Sequence, residues 1–140
     1  EQRAQVASQT AAVQTAIAEV ETARAAADSA RDTLKSLEAR RATAQANVQL
    51  NQREYERYLN LYNQGAESRQ ILDQKLNALQ TAQASLRQAE ADMQAQRASI
   101  NREQANVERN RRAVDQARAN VDSQEAQLQY YTITAPFTGV

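Results

Sequence analysis

Apolar residues recur every seven positions along two stretches of this chain. Val6, Val13, Val20, Ala27, Leu34, Val48, Tyr55 and Tyr62 form the first series, with Arg41 the one polar interruption. Leu72, Leu79, Leu86, Met93, Ile100, Val107, Val114, Val121 and Leu128 form the second. A sustained seven-residue repeat puts one narrow apolar stripe on a helix, and such a stripe needs a second helix to cover it. Between the two series stands Gly65, the only glycine between Glu1 and Tyr131. The pattern predicts an all-α fold in which two long antiparallel helices form a coiled-coil hairpin.

The expected elements are a first helix over 1–63, a tip turn over 64–68 and a second helix over 69–130. Residues 3–63 lack Pro and Gly and are rich in Ala, Gln, Arg and Glu, all strong helix formers. About 60 residues at 1.5 Å each give a rod of roughly 90 Å. Gly65 is a natural helix stop, because it enters the left-handed conformation without a Cβ clash. Ser68 is placed to cap the second helix through its hydroxyl. After Gln129 the composition turns to a β-rich YTITA, and Pro136 ends any helical option, so 131–140 reads as a short strand-like remnant. The chain starts in mid-helix without a capping signal and stops just after that segment begins. It therefore reads as a piece of a longer protein.

The two series mirror each other about the turn. Folding back at Gly65 stacks Tyr62/Leu72, Tyr55/Leu79, Val48/Leu86, Arg41/Met93, Leu34/Ile100, Ala27/Val107, Val20/Val114, Val13/Val121 and Val6/Leu128. Ala16, Ala23, Ala30, Leu37, Ala44 and Tyr58 give the first helix a second seam position. Each large buried side chain contributes about 1.5–3 kcal/mol and each alanine much less, so the seam is expected to be tightest near the turn. Arg41 is expected to run past Met93 to solvent on its aliphatic stem rather than to form a specific ion pair.

A further line is made of small residues. Ala4, Ala11, Ala18, Ala25, Ala39 and Ala46 share one heptad position in the first helix. Ala84, Ala91, Ala98, Ala105, Ala119 and Ala126 share the equivalent position in the second. Twelve of the 29 alanines thus fall on one position in seven, roughly opposite the seam. Two readings are open: alanine as the best exposed helix former, or a face on which neighbouring hairpins approach closely.

Composition removes several functions. The 17 Lys+Arg balance the 17 Asp+Glu, which argues against nucleic-acid binding and against a polybasic membrane-surface helix. No apolar run approaches the roughly 20 residues of a membrane span. The absence of Cys and His removes most nucleophile–base pairs and most transition-metal sites. Carboxylate pairs such as Glu19/Glu21 and Glu90/Asp92 lie on solvated faces with no pocket, and no Gly-rich loop exists to hold phosphate. No enzyme, cofactor or metal is expected.

The remaining candidate is the tip. Arg57 and Leu61 are four apart and share a helix face, roughly 90–130° from the line through Tyr55, Tyr58 and Tyr62. Taken singly, Arg57 reads as solvated charge, Leu61 as cover for the turn and Ser68 as a cap. Taken together, Arg, three residues, Leu, six residues and Ser at a hairpin turn resemble the tip motif of periplasmic adaptor proteins, also called membrane fusion proteins. The tail TITAPFTGV is similar to that family's signature where the chain returns from hairpin to lipoyl-like domain.

The resemblance implies a hairpin in the periplasm of a Gram-negative-type bacterium, on a protein anchored in the inner membrane. It implies that Arg57, Leu61 and Ser68 dock on a TolC-like outer-membrane channel, with Gly65 forming the turn. It implies a homo-oligomer, a hexamer, for which Ala84, Ala91, Ala98 and Ala105 are the candidate face. It also implies an inner-membrane transporter, and the length of the hairpin favours an ABC exporter (type I secretion) or a major-facilitator pump. The sequence departs from the family pattern at Glu67, where an aliphatic residue is usual, at Ile71, where a Glu would complete a capping box, and at Thr138 in place of Asp. The competing expectations are a generic coiled-coil spacer and an amphipathic lipid-binding helix pair, the latter disfavoured by the narrow apolar stripe.

Overall fold

The computed structural model describes residues 2–130; of Gln2 only the backbone is described. Two helices account for nearly all of it: α1, Gln2–Asn63, and α2, Arg69–Tyr130. They pack against each other as an antiparallel hairpin. The expected strand-like segment and the TITAPFTGV tail lie outside the described residues. By its internal contacts the chain divides into two units. One joins the residues up to Asp28 with those from Arg102 on; the other is Ser29–Asn101.

In the first unit the seam buries Val20, Ala23, Ala27, Val107 and Val114. Ala23, Ala27 and Val107 form one buried cluster, with Ala27 only 3% exposed. That cluster contains the expected Ala27/Val107 layer. In the second unit Leu79, Ala82, Met93 and Ile100 are buried. Lys75 of α2 sits over the Tyr58 ring of α1, and Arg41 of α1 reaches Glu90 of α2, one turn from Met93. Both contacts agree with the mirrored register.

Contrary to expectation, coverage does not fall steadily away from the turn: Tyr62 is 37% exposed and Tyr55 half-buried, Val20 and Ala27 are buried, and Val6, Val13, Val121 and Leu128 are again only half-buried. A layer of a two-helix seam is enclosed only by its immediate neighbours. Ala and Val fit within that enclosure, but a phenol ring overhangs it and keeps its hydroxyl in water. Coverage and energy are separate quantities, since a covered alanine removes little apolar area from water. Arg41 also differs from its expectation. Its Nε lies 3.3 Å from Glu90 Oε1, so it makes an interhelical ion pair.

The second seam of α2 is largely polar, which the apolar pattern did not reveal. Gln96 donates from Nε2 to the Ala30 carbonyl at 2.8 Å, and Asn110 donates from Nδ2 to the Glu19 carbonyl at 3.2 Å. Helix carbonyls have a second lone pair free after their helical bond, so these amides are satisfied within the seam. No buried side-chain polar atom among the described residues lacks a partner.

Candidate docking site at the hairpin turn

The turn is built by main-chain chemistry. Ala66 N–H donates to the Leu61 carbonyl and Gly65 N–H to the Tyr62 carbonyl, each at 2.9 Å. This nested pair is a Schellman ending, with Gly65 in its left-handed position at φ 74°. Leu61 thus has two structural roles: its carbonyl closes the helix, and its side chain is half-buried beside the turn. Ser68 opens α2 as expected. Its Oγ accepts the Ile71 N–H at 3.4 Å, and its carbonyl accepts the Leu72 N–H at 3.3 Å. Ile71 holds the position where a Glu would complete the capping box, so the side-chain half of that box is missing. Glu67, the other departure from the family pattern, is half-buried.

Arg57 is exposed, but it is not a free solvated charge. Its Nη2 lies 3.6 Å from Glu54 Oε1, and its guanidinium carbon stands 5.2 Å from the centre of the Tyr58 ring. The other oxygen of Glu54, Oε2, accepts a hydrogen bond from Lys75 Nζ at 2.7 Å. Lys75 Nζ itself stands 4.8 Å from the centre of the same ring. One carboxylate and one aromatic face therefore serve two cations, one from each helix. The hydrogen bond from Lys75 holds the Glu54 carboxyl below the usual carboxylate range; the charges of Lys75 and Arg57 act in the same direction, against burial. The reciprocal bond raises Lys75, again against burial. Sequence spacing treated Tyr58 as seam and Arg57 as solvent-facing. The signal that could have found the cluster is Lys75 itself, a cation next to Leu76, the position that the mirrored register sets opposite Tyr58.

Leu61 and Gly65 both take part in the helix ending, Leu61 through Ala66 and Gly65 through Tyr62, and Ser68 stands at the start of the return helix. Arg57 faces outward next to its cluster. Ala84, Ala91 and Ala98 in one unit, and Ala105 in the other, are all exposed, as are their α1 counterparts. Among the described residues no group of side chains could hold a metal ion, and no helix is long and apolar enough to cross a membrane.

A covered apolar seam and a capped turn with outward-facing side chains define a helical hairpin. Comparison with known families specifies it further: residues 33–101, which span the turn and the adjoining parts of both helices, match the model described as RND MFP, alpha-helical hairpin domain. This match supports a hairpin segment of the membrane fusion, or periplasmic adaptor, protein family, whose members are structural adaptors in the periplasm of Gram-negative bacteria. No curated protein and no solved structure matches it significantly.

Proposed function

We propose that this hairpin belongs to an adaptor that bridges an inner-membrane transporter to a TolC-like outer-membrane channel in tripartite export, and that it docks through its tip. The observation that supports this reading is the capped turn within the family-matched segment, with Arg57 exposed and Leu61 half-buried before it and Ser68 just beyond it. In this reading Arg57 supplies a charged, forked donor, Leu61 an apolar contact and Ser68 a hydroxyl. The full-length protein is anchored in the inner membrane and assembles as a hexamer. Ala84, Ala91, Ala98 and Ala105 supply a face small enough for neighbouring hairpins to approach. The transporter is of ABC or major-facilitator type on the length of the hairpin, and of RND type on the description of the matching family; the transporter encoded beside this protein decides between them.

Leu61→Asp tests the tip. Its expected effect is loss of export with helicity unchanged, since the side chain is only half-buried; normal export by this variant would refute the assignment. Bulky residues at Ala91 and Ala98 are expected to impair assembly, and unchanged oligomers on crosslinking would reduce the alanine line to helix propensity. A generic spacer would account for the heptads but not for the family match.

A further inference from the structure

Arg57 is offered as a docking residue, yet a long exposed side chain samples many rotamers and must be ordered each time it binds. The surroundings of Arg57 bear on that cost. We propose that Glu54, Tyr58 and Lys75 form a positioning cluster that fixes the direction in which Arg57 is presented to the outer-membrane channel. The inference rests on the docking reading above.

The geometry divides the labour. Glu54 splits its two oxygens, Oε1 toward Arg57 at 3.6 Å and Oε2 toward Lys75 at 2.7 Å. Tyr58 lies beneath both cations, at 5.2 Å and 4.8 Å. A lone exposed pair at 3.6 Å would hold Arg57 weakly. Here the carboxylate is itself held by Lys75, whose side chain and that of Glu54 are each only about a third exposed. The ring supplies a second surface for the guanidinium. Two restraints from different directions define an orientation where one alone leaves a cone. Lys75 comes from α2, three residues after the Leu72 layer, so the presentation of Arg57 on α1 depends on the seating of α2. Glu54, Tyr58 and Lys75 are positioning residues in this account; Arg57 is the group that meets the partner.

The alternative role for Glu54 and Lys75 is a simple tie between helices. A charge exchange separates the two. Glu54→Lys combined with Lys75→Glu preserves an ion pair of opposite sign across the seam, but places an ammonium next to Arg57. The test is the affinity of the full chain for a purified TolC-like channel in detergent, by surface plasmon resonance, with thermal melting in parallel. Arg57→Ala and Glu54→Gln serve as single variants. The expected result is a melting midpoint close to the parent's for the exchanged variant, with binding weakened roughly threefold to tenfold, the size of one side chain's ordering cost. Glu54→Gln weakens binding in the same range. Parental affinity in both Glu54→Gln and the exchanged variant would overturn the proposal and leave only the tie. If Arg57→Ala binds as well as the parent, the docking reading itself fails; that outcome differs from one in which Arg57→Ala weakens binding and the Glu54 variants do not.

Discussion

Lys75 of α2 and Glu54 of α1 are joined across the seam by a hydrogen-bonded ion pair of 2.7 Å, next to the Tyr58 ring. The pair has a defined pH signature. Glu54 is depressed when folded, so its contribution is present above the unfolded value, about 4.3, and is lost as pH falls through the lower folded value. Lys75 is raised, so its contribution is present below about 10.4 and is lost as pH rises through the higher folded value. The melting midpoint of Glu54→Gln is expected to lie below that of the parent at neutral pH and to converge with it in acid. A gap that persists unchanged at pH 2 would show that the carboxylate charge is not involved.

Gly65 provides a second measurement. A Cβ at this position meets nothing within 4 Å, so steric clash with the surroundings contributes nothing. The φ of 74° remains, and an L-residue held there costs roughly 1–2 kcal/mol. Gly65→Ala should therefore lower unfolding stability by about that amount, and Gly65→Asn by less. Denaturant titration of the two variants checks the order; equal stability of all three proteins would mean the turn can relax out of the left-handed conformation.

Ser68 combines capping with proposed docking, and the two roles are separable. Loss of the cap in Ser68→Ala costs about 0.5–2 kcal/mol, toward the low end given the 3.4 Å bond. Ser68→Asp retains a capping oxygen but replaces the hydroxyl by a charge. Stability close to the parent's together with impaired export in Ser68→Asp is the expected combination. Export at the parental level would confine Ser68 to its structural role.

The seam itself is tested by volume. Ile100→Ala removes a buried side chain and is expected to destabilise by about 2–3 kcal/mol, the lower part of the range for such truncations, because a two-helix seam closes partly over a gap. Ala27→Leu inserts three carbons into the most covered site of its cluster and is expected to cost about 1–3 kcal/mol. Calorimetry on both decides. A stabilising effect of Ala27→Leu would mean that the first unit has room the structure does not show.

Much of this architecture was legible before any coordinates, and the reason is periodicity. A seven-residue repeat of Val, Leu and Tyr is an unambiguous helical signal, and a single glycine between two such repeats gives one place to turn. Gly65 and Ser68 were readable because their backbone chemistry is local. The polar half of the seam was not readable. Gln96 and Asn110 carry no apolar signature, and only the partner's carbonyls reveal why they are tolerated there. Arg41 was misjudged for a related reason: its partner, Glu90, is 49 residues away in sequence, and side-chain direction across a seam does not follow from spacing on one helix. The cluster around Tyr58 likewise needed both helices in place. The exposure of the tyrosines next to the turn was not readable either, because the width of a two-helix seam limits what can be enclosed.

The most direct measurement is contact by the tip itself. The chain has no cysteine, but the question concerns a partner, so a photo-crosslinking residue placed at position 61 in cells that carry the full export system gives the cleanest answer. The same residue at Val107, inside the seam, serves as the control. The account predicts an adduct between position 61 and the outer-membrane channel, and none from position 107. Channel adducts absent at 61, or equally strong at 107, would contradict it.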